Sequence, residues 1–250
     1  MMNYNPFSLE GKTILVTGAS SGIGQAAAIE CSKLGAKVII TARNEKRLQE
    51  TLNQLAGDGH TMIIADLSTP ENVEEIVKQI PEIQGFVSNA GINKMLPLSF
   101  IKEKDILDTF QVNTISPMLL LKEIVKRKKL QKNSSVVFTS SMAGVGAAAS
   151  GNSIYTASKG AISTFIKCAA LELSSKNIRV NAVCPGMIMT PMIYDESLEK
   201  EQLDEDMKRY PLGRYGNPKD IALAMVYLLS DASSWVTGTN MIIDGGLTIR

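Results

Sequence analysis

The stretch Thr13–Gly24, which reads TILVTGASSGIG, decides the fold of this chain. A short apolar, β-branched run predicts a strand over Thr13–Thr17, and an amphipathic pattern predicts a helix over Gly22–Leu34. A tight strand-to-helix turn needs one glycine, whereas this turn has three. Glycine lets the backbone approach a phosphate closely, and the amino terminus of a helix attracts negative charge. The turn therefore predicts a cradle for a pyrophosphate.

The same alternation of strands and helices continues along the chain. Further strands are predicted over Val38–Thr41, Thr61–Ala65, Gly85–Ser88, Ser135–Thr139, Ile178–Val183 and Asn240–Asp244. Further helices are predicted over Glu45–Leu55, Glu71–Gln79, about Lys104–Leu130, about Ser153–Leu173 and Lys219–Leu229. Strands that are apolar on both faces and separated by helices are typical of a parallel sheet covered on both sides. We predict an α/β fold, a single Rossmann-type doubly wound parallel sheet of about seven strands, within one domain over residues 1–250.

Two segments depart from this regular pattern. Pro117 lies inside the long fourth helix, so we expect a kink or a break near Ser116. The connection around residues 187–212 is long, and its acidic stretch Asp195–Asp206 is expected to form helix that rests loosely on the body. A segment of this kind over a binding cleft predicts a substrate lid.

Composition excludes several classes of function. With 250 residues, 44% of them hydrophobic, and a net charge of +1, the chain can bury a large core but has no basic face for nucleic acid. Its three cysteines, Cys31, Cys168 and Cys184, are widely separated and lack a histidine cluster, which predicts no metal site, no disulfide framework and a cytoplasmic location. Neither a signal peptide nor a membrane span is predicted. The single histidine, His60, follows a polar turn and is predicted to be a strand-edge residue rather than a catalytic one.

Tyr155 and Lys159 are the strongest candidates for chemistry. They are four residues apart in a predicted helix, which places them one turn apart on the same face. A phenol is a poor acid–base group at neutral pH, but a nearby ammonium stabilises its phenolate and is expected to lower its pKa. The pattern is common on helices, and by itself usually marks a surface pair.

The glycine turn resembles the T-G-x-x-x-G-x-G fingerprint of the short-chain dehydrogenase/reductase family, and the resemblance extends over nearly the whole chain. Asn89-Ala90-Gly91 is similar to the turn that follows the fourth strand in that family, although Ser88 replaces a frequent asparagine. Asp66 resembles the family's acidic residue near the adenine, with the alternative that it caps the next helix. The resemblance implies cofactor binding by Gly18, Ser20, Ser21, Gly22, Ile23, Gly24, Arg43, Asp66, Leu67, Asn89, Ala90, Gly91, Tyr155, Lys159, Pro185, Gly186, Ile188 and Thr190.

The same resemblance implies a catalytic set of Asn113, Ser141, Tyr155 and Lys159. Ser141 matches the serine that binds the substrate oxygen, but its separation of 14 residues from Tyr155 is one more than the commonest family spacing, so Ser140 remains an alternative. In a strand, the two side chains point to opposite faces and only one can face the cleft. Asn113 resembles the asparagine that holds a water linked to the lysine. Tyr155 is implied to donate the proton while a nicotinamide carries the hydride.

The end of the second strand, Thr41-Ala42-Arg43-Asn44, decides between NAD and NADP. A carboxylate there would bind the ribose hydroxyls and repel a 2′-phosphate, but the position has no acid. Arg43 instead offers a planar fork of donors, and charge-assisted hydrogen bonds contribute about 1.5–3 kcal/mol each. NADP(H) is the predicted cofactor.

The substrate is less defined. Pro211–Arg214 and Asp244–Gly246 are similar to segments of 3-oxoacyl-carrier-protein reductases, which implies a carbonyl or secondary alcohol substrate, such as a 3-oxoacyl thioester. Sugar, steroid and other alcohol dehydrogenases share the pattern, and a non-catalytic NADP-binding sensor is the alternative outside enzymes. The basic run Lys126–Lys129 with Lys132 is a candidate docking site for an acidic carrier, or else a solvated helix end. The resemblance also implies a homotetramer or homodimer formed through the two long helices and the last strand.

Overall fold

The structure is a computed structural model that describes residues 4–191 and 200–249. Its strands are β1 (Thr13–Thr17), β2 (Lys37–Ala42), β3 (Thr61–Ile64), β4 (Ile83–Ser88), β5 (Leu130–Thr139), β6 (Arg179–Pro185) and β7 (Asn240–Ile243). Its α-helices are α1 (Gly22–Lys33), α2 (Glu45–Leu52), α3 (Pro70–Gln79), α4 (Glu103–Phe110), α5 (Ser116–Lys126), α6 (Ser153–Leu173), α7 (Lys200–Met207) and α8 (Pro218–Leu229).

All seven strands form one sheet in the order β3-β2-β1-β4-β5-β6-β7. Every pairing between neighbouring strands is parallel. The chain moves outward from β1 to β3 and then returns to the centre at β4, so the strand order reverses between β1 and β4. Ligands bind in such sheets at the carboxyl ends of the strands near this reversal. The predicted doubly wound sheet of seven strands is confirmed.

Alternating side chains of the strands build a core on each face of the sheet. On one face, Phe86 and Phe138 pack edge to face, with ring centroids 6.2 Å apart, under helices α3, α5 and α6. On the other face, Val87 and Val137 pack under α1 and α8. Val87 directly follows Phe86 in the sequence, and Val137 directly precedes Phe138. Both faces are covered because consecutive residues of a strand point in opposite directions. The two faces of the sheet are therefore buried from solvent, while its carboxyl edge stays accessible.

The predicted helix over 104–130 is interrupted, as Pro117 indicated. Helix α4 ends at Phe110, a π-helical turn covers Gln111–Ile115, and α5 begins at Ser116. Proline has no amide hydrogen to donate to the preceding turn, so it is accommodated in the first turn of α5. The end of the prediction was wrong, since α5 stops at Lys126 and Leu130 begins β5.

The described part of the predicted lid is attached to the body. Ile188 forms a parallel bridge with Gly216, and the Tyr215 hydroxyl donates to Asp206 Oδ2 at 2.9 Å beside the end of α7. The Tyr215 ring packs edge to face on Tyr210. The remainder of the predicted lid, including Met192, Ile193 and Tyr194, lies outside the described residues.

His60 is a structural residue, as predicted. Its Nδ1 accepts a hydrogen bond from the Val38 amide at 3.0 Å, and its Nε2 lies 2.9 Å from the Ala56 carbonyl oxygen. Within residues 4–191 and 200–249, no helix has the length and apolar character needed to cross a membrane. Within the same ranges, no cluster of three metal-ligating side chains occurs.

Candidate active site

A cleft of about 620 Å³ opens at the carboxyl edge of the sheet. It is lined by residues that follow six of the seven strands, from the glycine turn after β1 to Thr190 after β6. All of the predicted site residues line it except Gly24 and Asn113. The topology therefore brings together residues that are up to 172 positions apart, from Gly18 to Thr190.

The glycine turn forms a cradle with little room for side chains. Gly18 and Gly22 have positive φ values of 66° and 58°, which side-chain-bearing residues rarely adopt. A Cβ atom on Gly18 would lie 2.7 Å from the Ala90 Cα, and one on Gly24 would collide with the Gly18 carbonyl. Gly24 therefore closes the turn by packing and does not line the cleft as the sequence had implied. Ser21 caps α1 with extended backbone but without a side-chain hydrogen bond, so the helix terminus is open to an anion.

Thr17 and Asn89 hold the cradle against the turn after β4. The Thr17 hydroxyl accepts hydrogen bonds from the Asn89 and Ala90 amides at 3.0 and 3.2 Å. The Asn89 side chain accepts from the Thr139 hydroxyl at 3.0 Å, which ties the turn to the end of β5. These bonds connect three neighbouring strand ends, so the floor of the cleft is rigid.

Arg43 lies at the end of the cleft beyond the glycine turn. It is exposed, and no carboxylate lies within ion-pairing distance in the described part of the chain. Arg47, which the sequence analysis missed, lines the same region from the first turn of α2. Its spacing of four residues from Arg43 could have indicated that the two arginines line the same region. Neither arginine has an ion-pair partner among residues 4–191 and 200–249, and two such cations next to a phosphate cradle form a site suited to an additional phosphate.

Asp66 lines the opposite side of this region. Its Oδ1 accepts a hydrogen bond from the Ser68 amide at 2.9 Å, and its carbonyl oxygen accepts from Asn72. The cap of α3 is Thr69, so the alternative that Asp66 caps that helix is wrong. Leu67 is buried beside it and contributes its carbonyl oxygen to a 2.6 Å hydrogen bond with Ser116.

The candidate catalytic groups meet where β5 ends and α6 begins. The Lys159 ammonium is 3% exposed and donates to the Thr139 carbonyl oxygen at 2.7 Å. The same ammonium lies 5.8 Å from the centroid of the Tyr155 ring. The Ser141 hydroxyl lies beside the Tyr155 hydroxyl, close enough to favour its ionised form. Helix α6 therefore brings a phenol and an ammonium to the end of β5, with the Ser141 hydroxyl beside the phenol.

The structure distinguishes Ser141 from Ser140. The Ser140 hydroxyl points into the protein, where it lies 3.0 Å from the Lys159 carbonyl oxygen and 2.7 Å from Ser163 Oγ. Ser141 caps the short 3-10 turn Met142–Gly144 and contacts Tyr155. Both serines line the cleft, but it is the Ser141 hydroxyl that lies beside the phenol, which favours Ser141 over Ser140 as the candidate.

Asn113 lies in the π-helical turn, behind the cleft wall. Its Oδ1 accepts from the Ile92 amide at 2.8 Å, and its Nδ2 donates to the Ile92 carbonyl oxygen and to Ser158 Oγ at 2.9 and 3.0 Å. Both amide hydrogens are used by protein acceptors, and the side chain is 1% exposed. Asn113 therefore fixes the turn after β4, and its implied role in holding a water stays a prediction.

The pKa of Tyr155 differs from the sequence expectation. Burial raises the pKa of the Tyr155 phenol, and the Ser141 hydrogen bond only partly opposes this. The net shift is therefore opposite to the lowering expected from the sequence, because burial of the phenol outweighs the groups that stabilise its phenolate. Burial also lowers the pKa of Lys159 to about 8.

Further lining residues were not predicted because they lie in loops. They include Asn93, Met95, Met142, Ala147, Ala148, Ala149 and Asn152, whereas Met187 lines the cleft as part of the predicted lid. The three alanines belong to the loop between β5 and α6, where the spacing indicated an extra residue. Its Gly151 carbonyl accepts from the Leu96 amide at 2.8 Å, which joins the two loops into one wall.

Comparison with known proteins identifies the family. Residues 18–248 match a family model described as enoyl-(acyl carrier protein) reductase. The chain belongs to the short-chain dehydrogenase/reductase family. It is 35% identical over 239 residues to a 3-oxoacyl-[acyl-carrier-protein] reductase of Rickettsia bellii, with 96% of this chain and 98% of the relative covered.

Solved structures of this family superpose closely on the protein. A short-chain type dehydrogenase/reductase from Mycobacterium marinum is 30% identical, with a TM-score of 0.90 and 98% of each chain covered. A structure described as a 2-deoxy-D-gluconate 3-dehydrogenase from Agrobacterium tumefaciens, with bound NADP, is 29% identical, with a TM-score of 0.88 and 99% and 100% of the two chains covered. As a short-chain dehydrogenase/reductase, the protein is an oxidoreductase that acts between CH–OH and carbonyl groups.

The lowered pKa of Lys159 predicts an alkaline limb in the pH profile of carbonyl reduction. The pKa of Tyr155 is raised, so the phenol stays protonated to higher pH, and Lys159 is the first of the two to lose its proton. We expect kcat/KM to fall as the pH rises through about 8. In Lys159→Arg the side chain stays charged, so the residual activity should lack this limb. A limb of equal midpoint in Lys159→Arg would contradict the assignment.

Proposed function

We propose that this protein transfers a hydride between NADP(H) and a carbonyl or secondary alcohol carbon, with Tyr155 as the proton donor. The observation that carries the proposal is the meeting of Ser141, Tyr155 and Lys159 in the same cleft as the glycine cradle. A sensor without catalysis would need the fold and the cradle but not this cluster. The cluster therefore favours an enzyme over a binding protein.

The cradle and the two arginines fit NADP. Gly18, Ser20, Ser21, Gly22 and Ile23 line the part of the cleft at the open amino terminus of α1, which suits the pyrophosphate. Arg43 and Arg47 lie where the 2′-phosphate of the adenosine ribose would be bound. The agreement with the NADP-bound neighbour from Agrobacterium tumefaciens supports this choice.

Residues after β4 and β6 would hold the other end of the cofactor. Asn89, Ala90 and Gly91 line one side of the cleft, and Pro185, Gly186, Ile188 and Thr190 line the other. Gly186 has no room for a side chain, because a Cβ atom there would lie 2.9 Å from the Asp244 Cα. The backbone at this position is thus fixed by β7, which suits a role in orienting the nicotinamide amide.

The chemistry of reduction follows from the positions of these side chains. When bound, NADPH supplies the hydride to the carbonyl carbon. The Ser141 hydroxyl donates a hydrogen bond to the carbonyl oxygen, and Tyr155 transfers its proton to this oxygen as negative charge develops on it. The raised pKa of the phenol keeps the proton available at neutral pH. The Lys159 ammonium stabilises the phenolate that remains, and its buried location strengthens this attraction.

Replacement of Tyr155 by phenylalanine tests the proton donor. Tyr155→Phe removes the hydroxyl and keeps the ring, so we expect kcat to fall by about 10²- to 10⁴-fold, with the Kd of NADPH changed less than about twofold. Steady-state rates and NADPH fluorescence titration measure the two quantities. Tyr227→Phe is a matched control, because Tyr227 packs against Phe7 away from the cleft. Near-normal turnover of Tyr155→Phe would refute the role.

Replacement of Arg43 tests the cofactor preference. Loss of one charge-assisted contact of about 1.5–3 kcal/mol corresponds to a rise of roughly 10- to 150-fold in the Kd of NADPH for Arg43→Ala. The Kd of NADH should change less than about twofold, because NADH lacks the 2′-phosphate. Lys46→Ala is the control, since Lys46 is an exposed neighbour that does not line the cleft. Equal losses for both cofactors in Arg43→Ala would overturn the assignment to NADP.

A 3-oxoacyl thioester is the substrate that we propose first. Three alanines and three methionines, Met95, Met142 and Met187, give the cleft near Tyr155 a wide and largely apolar wall, which suits an acyl chain. The similarity to the 3-oxoacyl-[acyl-carrier-protein] reductase of Rickettsia bellii favours the same class. The similarity to the gluconate dehydrogenase structure supports a second candidate, a hydroxylated ketone derived from a sugar acid.

A panel of ketones with NADPH separates these candidates. We expect kcat/KM for a 3-oxoacyl thioester to exceed that for sugar-acid, steroid and simple ketones by about tenfold or more, as expected when one class gains about 1.4 kcal/mol in transition-state binding. Each ketone is compared at the same NADPH concentration, and the corresponding alcohols are tested with NADP. Preference for the sugar-acid ketone would exclude the acyl substrate and retain the enzyme class.

The basic run at the end of α5 does not face this cleft in the single chain. It precedes β5 and so lies at the amino edge of the sheet, opposite the cleft. Lys126 and Arg127 pair with Glu123, and Lys129 donates to the Ile80 carbonyl oxygen. A carrier bound there would not face this chain's own cleft.

We further propose that the chain forms homotetramers or homodimers and that residues 187–212 act as a substrate lid. Large apolar side chains are exposed on each element named for assembly, namely Leu107 in α4, Leu171 in α6 and Ile242 in β7. Exposed apolar groups on several elements favour association. Met187, Ile188, Thr190 and Pro191 line the cleft from the start of the proposed lid.

A further inference from the structure

A buried hydroxyl cluster lies beneath the catalytic groups and takes no part in the reaction as described. Ser140 and Ser163 are only 2% and 4% exposed, and their Oγ atoms are 2.7 Å apart. The Ser140 hydroxyl also lies 3.0 Å from the Lys159 carbonyl oxygen, which can only accept a hydrogen bond. The single proton of Ser140 is therefore directed to Lys159, and Ser163 donates its own proton to Ser140.

The cluster joins four elements of the fold. Ser140 follows β5, Ser163 belongs to α6, and the fully buried Cys184 of β6 lies beside both hydroxyls. Asn240 of β7 donates from its Nδ2 to the Ser163 carbonyl oxygen at 2.9 Å, and its Oδ1 lies 3.8 Å from the Cys184 sulfur. Since each buried polar group has a partner, the cluster defines one arrangement of α6 on the sheet.

The same peptide group of α6 is contacted from a second direction. A Cβ atom on Gly144 would lie 2.7 Å from the Lys159 carbonyl carbon and 2.9 Å from the Gly160 nitrogen. The turn after Ser141 thus packs directly on the backbone that carries the Lys159 ammonium. Ser140 holds this backbone by a hydrogen bond, while Gly144 limits how closely it approaches.

We propose that Ser140, supported by Ser163, is a positioning residue that fixes the helical turn of Tyr155 and Lys159 relative to Ser141. This inference rests on the proposed hydride transfer. Ser140 precedes Ser141 directly, so one short segment both carries the hydroxyl that contacts Tyr155 and anchors the helix of Tyr155. Displacement of catalytic groups by about 1 Å can cost on the order of 10²-fold in rate.

The test measures turnover and cofactor binding separately. In Ser140→Ala we expect kcat with NADPH and the best ketone of the panel to fall by about tenfold or more, with the Kd of NADPH changed less than about twofold. Ser163→Ala should reproduce the effect, and the double variant should be no worse than either single variant, because the two residues act through one bond. Ser140→Thr keeps the hydroxyl and should restore most of the rate.

Ser135→Ala is the matched control. Ser135 lies on the same strand, is 1% exposed, and donates to the Leu228 carbonyl oxygen of α8 at 2.6 Å on the opposite face of the sheet. Its loss removes a buried hydrogen bond of the same kind, so Tm should fall in both variants. Only Ser140→Ala should lose turnover when both are assayed well below their Tm.

Two outcomes would overturn the inference. One is that Ser140→Ala has the same kcat as the wild type and as the control Ser135→Ala. If Ser140→Ala does not fold, the same comparison is made with Ser163→Ala. The other is that Ser140→Ala abolishes turnover while Ser141→Ala remains active, which would make Ser140 the catalytic serine. Turnover by the wild-type protein in the same assay distinguishes either result from a failure of the proposed function.

Discussion

The packing of α6 on the end of β5 is the contact on which the rest of the site depends. The Lys159 ammonium bonds the Thr139 carbonyl oxygen at 2.7 Å, and the Ser140 hydroxyl bonds the Lys159 carbonyl oxygen at 3.0 Å. The two elements therefore hold each other through bonds in both directions, at Thr139, the last residue of β5, and at Ser140, the residue that follows it. Since Thr139 also bonds Asn89, the contact extends to the turn after β4 and from there to the glycine cradle. Cofactor and catalytic groups are positioned by one connected set of strand ends.

Burial has opposite consequences for the two titratable groups at this contact. It disfavours the charged form of each, so it raises the pKa of the Tyr155 phenol and lowers the pKa of the Lys159 ammonium to about 8. The phenol is therefore protonated at neutral pH, which is the state that the proposed reduction requires. The ammonium, held by a carbonyl instead of by the phenol, is positioned to stabilise negative charge only when the phenol loses its proton. That is the behaviour expected of a group that acts in the transition state rather than in the resting state.

The fold and the cofactor half of the site were readable from the sequence because they depend on local signals. A glycine turn such as Gly18–Gly24 carries its own backbone requirements, and strand periodicity defines where each carboxyl end lies. Boundaries that depend on tertiary contacts were less accurate: β5 begins at Leu130, since its first residues pair near Ile83 with an irregular register. The predicted direction of the Tyr155 pKa shift was also wrong, because the burial of the phenol and the hydrogen bond from Lys159 to Thr139 arise only after folding. Asn113 shows the same limit, since its hydrogen bonds join segments 21 positions apart.

The substrate half of the site is harder to read because it is built from loops rather than from strand ends. The wall near Tyr155 combines the loop after β4 with the loop before α6, joined by the bond from the Leu96 amide to the Gly151 carbonyl. Neither loop has a periodic pattern, and their lining residues, such as Ala148 and Met95, have side chains that occur in any core. The catalytic contact tolerates changes in these loops because its own bonds run through β5 and α6. Under the proposed function, the chemistry depends on the bonds between β5 and α6, whereas the loop between Gly144 and Asn152 lines the part of the cleft left for the substrate.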